Sequence, residues 1–516
     1  MTAVYPDTAI PFFASSRAEF NRLCNKLGSE EMASLEADVL VDVVQNEGAE
    51  LLRLIVQDYL DIRAALERQE PQSPIGADGV ERGHRSGSHR SLETAVGRVR
   101  VKRQRCSSKT ARGSLYPLDA ALNLPPGLFS YDLQRVGCDF AADGSFDRAC
   151  EKLLTYTGGK VSKRQLEELV QEATEDFDAF YKARQERDLK RGVSEPPDDD
   201  VLLILSTDGK GIVMRNESLR PSTRKKAESS EHRMKRRLSA GEKGNRKRMA
   251  EVATVYDIDR QVRRPEDIIA SPDDELARRR SPRPKLRNKR VWASVDKSLK
   301  EVVEQTFDEA ESRDPEHRRT WVYLVDGNRD QIRYARRFAR QRGVKLTIII
   351  DFIHVLEYLW KAAWSFFDKG DPKAEDWVSS RALRLLRGEA GRLAGDISRS
   401  ATMRKLDEKQ RKGADACVKY LKNKKELMHY DQYLAAGTPI ATGVIEGACR
   451  HLVNDRLGIT GARWGLAGAE AVLKLRALRS SGDFDAYWDF HRQQEWERNH
   501  RPKYADDQVH RHRSAA

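Results

Sequence analysis

Three short apolar runs, each followed by an aspartate, constrain the fold of this chain more than any other feature. They are residues 201–205 before Asp208, 321–325 before Asp326 and 347–350 before Asp351. Apolar runs of this length, bounded by polar residues, are typical of strands that are buried on both faces. A single aspartate before glycine is often only a turn. Three such strand ends predict a sheet edge at which carboxylates gather, and the glycines after Asp208 are expected to let a ligand approach.

Length and composition indicate a large protein outside the membrane. At 516 residues the chain is long enough for about two to four domains. No stretch approaches the roughly 18 apolar residues that cross a bilayer, and no basic segment followed by an apolar one begins the chain. The six cysteines are scattered without a CxxC pair, which argues against a disulfide framework and a zinc ribbon. These features predict a cytoplasmic protein.

Positive charge is concentrated in two segments. The net charge is +13, and residues 220–248 contain 12 basic residues against 3 acidic ones. Residues 278–290 contain 8 basic residues and no acidic one. Such segments attract phosphate backbones and release counterions on binding, and they lack the apolar face that membrane anchoring needs. Nucleic acid is therefore the expected partner, and a solvated loop without a partner is the alternative.

The N-terminal part of the chain is expected to be mainly helical and to bind DNA. Residues 1–75 form a helical region by their apolar periodicity, and residues 90–126 form a small β-containing module whose alternation suggests a hairpin. Residues 127–190 have the outline of a helix-turn-helix, with a glycine turn at Gly158 and a second helix opening at Ser162. A generic helical hairpin has the same outline.

From residue 201 the pattern changes to α/β. Three predicted strands precede a helix, the strand before Asp326, a second helix and the strand before Asp351. This is the order of an RNase H-like sheet, in which the first three strands form an antiparallel meander before the parallel part. The expected regions are the first part of an RNase H-like core at 201–351, an all-α insertion at 352–435, the C-terminal helices of the core at 436–490 and a disordered tail at 501–516.

Three acidic residues meet the positions that an RNase H-like nuclease requires. Such an enzyme needs one carboxylate on the first strand, one on the fourth and one on a helix after the last strand, and these are Asp208, Asp326 and Glu446. Carboxylates brought within a few ångströms repel one another unless divalent cations lie between them. Two Mg²⁺ ions at such a site activate water and stabilise the leaving 3′ oxygen.

The helix that carries Glu446 is predicted to begin at Thr438 and Pro439, which are a good N-cap and a good first helical residue. Gly443 and Gly447 bracket the glutamate and are expected to let this helix approach the sheet closely.

Asp351 competes with Asp326 for the second metal position. It lies three residues before His354 at a strand-to-helix junction, where the pair could support each other or contact the scissile strand. Strand order favours Asp326 as the metal ligand and leaves Asp351 and His354 in a supporting role. A capping aspartate and a core histidine are the alternative.

Five segments resemble bacterial insertion-sequence transposases of the Kra group, which are related to the Mutator-like DDE transposases. They are residues 207–215, 325–327, 351–363, 442–453 and 455–464. The resemblance covers most of 90–490 and implies a DDE catalytic triad, an α-helical insertion before the glutamate and an Asp-x-x-His motif. Members often carry a cysteine pair after the N-terminal β piece, where this chain has only Cys106, so a zinc-stabilised module is not expected. Glu446 is followed by glycine in place of a common serine.

The resemblance implies transposition of a mobile element. The expected enzyme cleaves DNA at the element's ends and joins it to target DNA, with Asp208, Asp326 and Glu446 holding two Mg²⁺ ions, for which Mn²⁺ can substitute. Double-stranded DNA is the expected partner, at the element's ends and at the target. Processing two ends implies a homo-oligomer, at least a dimer, located at the bacterial nucleoid. The alternatives are a transposase-derived DNA-binding protein that does not cleave and an RNase H-like structure-selective nuclease.

Charge and stacking indicate which residues contact DNA. They are Lys210, Arg224, Lys225, Lys226, Lys235, Arg236, Arg237, Arg463 and Trp464. For Trp464, packing between a helix and the sheet is an equally good interpretation, and a solvated side chain is the alternative for Lys210.

Overall fold

A computed structural model of the chain describes residues 13–191, 200–229, 234, 237, 245–269, 284–459 and 461–505. The chain divides into two compact units, one comprising Met1–Phe180 with Phe484–Ala516 and the other Tyr181–Asp483. The architecture is mixed α/β, as predicted. Among the helices of the described residues, none combines the length and the apolar character that a membrane span requires.

The N-terminal part consists of helices and one β-hairpin. Its elements are α1 (Ala14–Leu27), α2 (Glu30–Ala33), α3 (Ala37–Gln69), β1 (His84–Thr94), β2 (Gly97–Ser107), α4 (Pro117–Ala121), α5 (Tyr131–Asp143), α6 (Phe146–Thr157), α7 (Lys163–Glu172) and α8 (Phe177–Arg191). The predicted hairpin is confirmed. It begins before residue 90, where the predicted module starts, since its antiparallel ladder runs from His84 to Ser107. Leu60 and Ala64 of α3 pack on Val99 and Val101 of β2 in a buried cluster.

The region with the helix-turn-helix outline contains the predicted helices and turn. Helix α6 ends at Gly158, whose φ of +66° lies in the left-handed region that glycine adopts without strain. Helix α7 opens with a capping box between Ser162 and Gln165. The basic residues at its start are in ion pairs, Lys163 with Asp147 at 2.7 Å and Arg164 with Glu168 at 2.9 Å. That α7 contacts DNA bases, as the second helix of a helix-turn-helix does, stays a prediction.

The second unit is built on a five-stranded sheet of order β5-β4-β3-β6-β7. Its first elements are β3 (Val201–Val213), α9 (Pro221–Glu228), β4 (Lys247–Asp259), α10 (Pro265–Ile268), β5 (Arg287–Ser294), α11 (Leu299–Arg313), β6 (Trp321–Val325), α12 (Arg329–Gln341) and β7 (Leu346–Ile350). Strands β3, β4 and β5 pair antiparallel, whereas β6 and β7 run parallel to β3. The predicted antiparallel meander followed by a parallel part is therefore confirmed.

Strand β3 does not end at Asp208, as the apolar run suggested. It continues to Val213, paired throughout with β4. The ladder between β3 and β6, in contrast, ends at Ser206. Asp208 therefore lies within a strand, just beyond the point where the parallel neighbour stops. The apolar run marks only the part of β3 that is covered on both faces, which is why it is shorter than the strand.

The described residues after β7 are mainly helical. Its elements are α13 (Phe352–Ala363), α14 (Lys373–Leu386), α15 (Ala390–Met403), α16 (Glu408–Lys424), α17 (Tyr430–Ala435), α18 (Gly443–Ala448), a π-helix (Cys449–Asn454), α19 (Asp455–Leu457), α20 (Leu466–Ser481) and α21 (Phe484–Asn499), and short 3₁₀ turns lie at Asn216–Ser218, Lys425–Leu427 and Arg501–Lys503. The prediction of an all-α segment between β7 and residue 435 is confirmed.

The helix that carries Glu446 begins later than predicted. Its first residue is Gly443, and Thr438 and Pro439 lie outside it. Tertiary hydrogen bonds hold the preceding segment out of helical conformation. The Ile440 carbonyl accepts from the Phe352 amide at 2.8 Å, and the Thr438 hydroxyl donates to the Tyr433 carbonyl at 2.9 Å.

The predicted disordered tail does not begin at residue 501. Arg501–Lys503 forms a 3₁₀ turn, and Tyr504 is buried against Cys106, Leu115 and Ala120. An aromatic ring that fills an apolar cluster offsets the loss of chain entropy, so the polar composition of the segment was misleading. Residues 506–516 lie outside the described residues.

Candidate active site

The parallel ladders bring three aspartates to the same end of the sheet, where the pairing of β3, β6 and β7 stops. We call this end of the sheet, with Asp208, Asp326 and Asp351, the carboxylate edge. The ladder between β3 and β6 ends two residues before both Asp208 and Asp326. The ladder between β6 and β7 ends one residue before both Asp326 and Asp351. Equal offsets from the last paired residues place the three side chains at adjacent positions across the sheet. The edge at which carboxylates were expected to gather therefore exists.

Asp208 is half-buried and has two partners. One carboxylate oxygen accepts the Gly209 amide at 2.7 Å, and the other accepts the Cys449 thiol at 3.3 Å. Burial and the charge of Asp208 raise the pKa of the Cys449 thiol, which keeps it protonated as a donor. A residue three positions after Glu446 thus holds the first aspartate in place.

Glu446 is exposed on α18, which packs against β3 and β4. Partial burial, and then the negative charges of Asp351 and Asp208, raise the pKa of its carboxyl group above the ordinary value. The structure therefore brings Glu446 into electrostatic reach of the sheet edge. The flanking glycines are not the reason for this approach, because a Cβ atom on Gly443 or Gly447 would meet nothing within 4 Å.

Asp326 lies in the short connection between β6 and α12. One carboxylate oxygen accepts the Asn328 amide at 2.8 Å, which closes a turn before the helix. The backbone carbonyl of Asp326 accepts the Tyr420 hydroxyl at 2.8 Å. Gly327 has a φ of +97°, and a Cβ atom there would lie 2.6 Å from that hydroxyl. This glycine is needed both for its backbone conformation and for the close approach of Tyr420.

Asp351 is more deeply enclosed than the other acids. It is 1% exposed and is the N-cap of α13, where one oxygen accepts the Ile353 amide at 2.9 Å. Its other oxygen accepts the Thr442 hydroxyl from the segment before Glu446. Burial raises the pKa of this carboxyl group, against the lowering effect of those hydrogen bonds. Both oxygens are thus engaged in holding α13 and the glutamate segment together.

His354 contacts the site through aromatic rings. Its Nδ1 atom lies 3.7 Å from the Glu357 carboxylate, and its ring meets Tyr358 and Tyr420 edge-on at 5.5 and 5.9 Å. The two tyrosine rings stack on each other at 4.0 Å. His354 therefore belongs to a layer of rings that ends at the Asp326 carbonyl, and its supporting role stays a prediction.

A further carboxylate, Glu251, lies beside Asp208 and was not identified from the sequence. Strand β4 places it opposite Gly209, and one of its oxygens would lie 3.6 Å from a Cβ atom on that glycine. Burial raises the pKa of Glu251, Arg220 opposes this, and the charge of Asp208 adds to it. Gly209 therefore faces side chains of β4. A Cβ atom on this glycine would also lie 3.0 Å from the Met249 Cε atom.

The basic residues predicted to contact DNA are mostly exposed. Lys210 is half-buried on β3, two residues past Asp208, and Arg224, Lys225 and Lys226 are exposed on α9. Arg224 forms an ion pair with Glu228 at 2.7 Å. Arg237 is exposed, whereas Lys235 and Arg236 lie outside the described residues.

Arg463 and Trp464 have different environments. Arg463 is exposed and lines a cleft of about 320 Å³ together with Arg215 and Arg246. Trp464 is 8% exposed, and its indole N–H donates to the Leu457 carbonyl at 3.2 Å. The Arg456 guanidinium lies 4.8 Å from its ring centre. Since its ring is covered, the structure favours the packing interpretation of Trp464 over stacking on DNA.

The residues that sequence reasoning missed come from distant parts of the chain. Tyr420 lies in the helical insertion, and Glu251 sits on the second strand of the sheet. Neither carries a local signal, because a tyrosine on a helix and a glutamate on a strand are both common in sequences. Cys449 was identifiable in principle, since it lies one helical turn after Glu446 and on its apolar side.

The donor chemistry of the edge suits a hard divalent cation, because carboxylate oxygens are the ligands that Mg²⁺ prefers. Within the described residues, however, no group of three or more His, Cys, Asp or Glu side chains is arranged to hold a metal ion. The acids thus share an edge without forming a closed ligand set.

Comparison with known proteins leaves the family of this chain open. The chain matches no family model, and no curated protein matches it.

Proposed function

We propose that this protein is a DDE transposase with an RNase H-like core, which cleaves DNA at the ends of a mobile element and joins it to target DNA. The observation that carries the proposal is the shared ladder offset of Asp208 and Asp326, together with the electrostatic coupling of Glu446 to Asp208. The mixed sheet and the helical segment between its last strand and the glutamate also support it.

In this proposal Asp208, Asp326 and Glu446 hold two Mg²⁺ ions, for which Mn²⁺ can substitute. Such ions lower the pKa of an attacking water and stabilise the leaving oxygen of a phosphodiester when they are bound. The chain's own contribution is positioning. Cys449 holds the Asp208 carboxylate, and Tyr420 holds the backbone of Asp326. Asp351 ties the start of α13 to the segment that carries Glu446.

The proposed partners are double-stranded DNA and a second copy of the chain. Exposed cations at Lys225, Lys226 and Arg463 support binding of phosphate groups. Two ends must be cut and joined in one reaction, which requires at least a dimer. We further propose that the protein acts at the bacterial nucleoid.

The test is a cleavage and joining assay on DNA that contains the inverted repeats flanking the gene. Wild type is compared with Asp208→Asn, Asp326→Asn and Glu446→Gln in Mg²⁺, in Mn²⁺ and in EDTA. Asp368→Asn, which removes an exposed carboxylate outside the edge, is the matched control. We expect the three site variants to lose about 10²–10³-fold in rate, as is typical when a group that stabilises transition-state charge is removed.

Each outcome of the assay selects one function. Cleavage and joining by wild type and Asp368→Asn alone support a transposase. Cleavage without joining identifies a structure-selective nuclease. DNA binding without metal-dependent cleavage identifies a DNA-binding protein and overturns the proposal.

A further inference from the structure

Helix α12, which begins three residues after Asp326, has an unusually basic outer face. Its exposed arginines recur every three or four residues and thus form one stripe along the helix. The stripe consists of Arg329, Arg333, Arg336 and Arg340, with Arg337 beside it. The opposite face is apolar, with Ile332, Ala335, Phe338 and Ala339 packed into the unit. We call the five arginines, Arg329, Arg333, Arg336, Arg337 and Arg340, the arginine stripe.

Most of the arginine stripe lacks neutralising partners. Arg333 pairs with Asp330 at 3.0 Å and lies over the Tyr334 ring at 4.8 Å. The other four arginines form no ion pair with any residue that the structure describes. Asp330 is also the only acidic residue of the helix. Arginines that serve stability are usually paired with carboxylates, as Arg342 is with Asp308 and Glu311.

A cation from a second element joins the stripe at the end next to the carboxylates. The Tyr420 hydroxyl of α16 contacts the Asp326 carbonyl at 2.8 Å. Lys424 is one helical turn further along the same face of α16, which brings it to the start of α12. Burial lowers the pKa of Lys424, as do the nearby charges of Arg329 and Arg336, while Asp326 opposes the shift. Three cations are thus held together although they repel one another.

We propose that the arginine stripe and Lys424 form a track that binds the phosphate backbone of duplex DNA and leads it to the carboxylate edge. From Arg329 to Arg340 the stripe is about 16 Å long, which is the length of about five nucleotide steps of one strand. This inference rests on the proposed function in one respect, namely that DNA is the substrate. It adds a DNA-binding surface that the basic segments at 220–248 and 278–290 do not include.

Other anionic partners fit the surface less well. A membrane-binding helix inserts apolar side chains between lipids, whereas the apolar residues of α12 are buried in the unit. An acidic protein could meet the same charges, but the track runs from the edge where a phosphodiester would have to lie. DNA is therefore the partner that the placement favours.

The proposal is tested by DNA binding of the full-length protein in EDTA, where no chemistry occurs. The variant is Arg329→Ala/Arg336→Ala/Lys424→Ala, and the probe is a fluorescent duplex of arbitrary sequence, because phosphate contacts are independent of sequence. Lys369→Ala/Lys373→Ala/Arg392→Ala removes the same charge from exposed positions of the helical insertion and is the matched control. Circular dichroism and Tm establish that both variants are folded.

We expect the dependence of log Kd on log salt to lose about two to three units of slope in the stripe variant, because each phosphate contact contributes about 0.9. Kd at low salt should rise at least about tenfold, and the control should bind like wild type. An unchanged slope, or an equal loss in the control, overturns the proposal. So does a stripe variant that binds DNA normally but loses binding to polyglutamate or to phosphatidylserine vesicles.

The result is separable from that for the proposed function. If Asp208→Asn binds the duplex normally and the stripe variant does not, the track stands whether or not cleavage is found. If the stripe variant binds duplex normally while wild type cleaves and joins in Mg²⁺, the enzyme assignment stands and the track falls.

Discussion

The Tyr420 hydroxyl donates to the backbone carbonyl of Asp326 at 2.8 Å, and this bond joins the helical insertion to the carboxylate edge across 94 positions of sequence. The helical insertion between β7 and α18 therefore contacts the carboxylate edge directly. It supplies the ring layer of Tyr358 and Tyr420, to which His354 is attached, and it positions Lys424. The second aspartate is thus held from two sides, by its own turn and by the insertion.

We expect Tyr420→Phe to lower the rate of metal-dependent cleavage about tenfold while leaving DNA affinity unchanged. The variant keeps the stacked ring but removes one hydrogen bond, which is worth about 1 kcal/mol, and a displaced Asp326 costs rate rather than binding. The measurement is single-turnover cleavage together with Kd. Tyr433→Phe, which changes a half-buried tyrosine of α17, is the control. A rate equal to wild type would show that the bond has no positioning role.

Gly327→Ala should destabilise the second unit by about 1–3 kcal/mol, since a left-handed non-glycine residue is strained and the added Cβ would lie 2.6 Å from the Tyr420 hydroxyl. Gly343→Ala separates the two causes, because Gly343 has a φ of +67° with nothing within 4 Å of an added Cβ. Urea unfolding should show a larger loss for Gly327→Ala. Adding Tyr420→Phe should restore part of the difference, and equal losses in both alanine variants would contradict the predicted clash.

Asp351 and Asp326 should differ in what their removal costs. Asp351→Ala removes a helix cap and the hydrogen bond that the Asp351 carboxylate accepts from the buried Thr442 hydroxyl, at a cost of about 1–3 kcal/mol. Asp326→Ala should change Tm by much less and abolish cleavage. Tm and cleavage rate are measured for both variants and for the isosteric Asp351→Asn and Asp326→Asn. Retained cleavage in Asp326→Asn with none in a stable Asp351→Asn would reverse the assignment of the second metal ligand.

The first unit should lose stability between about pH 6.5 and pH 4 because of His500. Burial lowers the pKa of His500 from 6.5 to about 4, with Lys503 and Arg90 adding to the shift and the Leu124 carbonyl and Glu495 opposing it. The neutral ring is 6% exposed and contacts the Leu124 carbonyl at 2.9 Å.

The sign of this effect follows from proton uptake. The unfolded chain protonates His500 first, so the stability that the neutral ring contributes is complete above pH 6.5 and lost as the pH falls to 4. The loss is about 3 kcal/mol at most. His500→Gln should show a flatter pH profile in urea unfolding, and the exposed His84→Gln should match wild type. Parallel profiles for His500→Gln and wild type would contradict this assignment.

Local patterns in the sequence determined which segments became strands and helices. The apolar runs before Asp326 and Asp351 are strands β6 and β7, and the order of strands and helices in the second unit follows the predicted one. Apolar periodicity acts over a few residues, so it can be read without knowing the fold. Asp326 and Asp351 follow buried strands as predicted, whereas Asp208 lies within β3.

Tertiary structure decided what those acids contact. Thr438 and Pro439 form a good helix start in sequence, but they lie outside α18. Thr438 donates to the Tyr433 carbonyl, and the adjacent Ile440 carbonyl accepts from the Phe352 amide. Asp351 is a buried helix cap whose carboxylate also accepts the hydroxyl of Thr442, which lies 91 positions further along the chain. The sequence favoured DNA stacking and core packing equally for Trp464. In the structure the Arg456 guanidinium lies over its ring, and its indole N–H donates to the Leu457 carbonyl.

The sequence by itself determined the order of strands and helices, the helical segment after β7 and the aspartates that follow β6 and β7, because local hydrophobic pattern marks these segments. Only the tertiary structure decided that Glu251 lies beside Asp208, and that Tyr420 and Lys424 reach the carboxylate edge from the helical insertion. Such contacts depend on strand register and helix packing, which join residues far apart in the chain and leave no local signal.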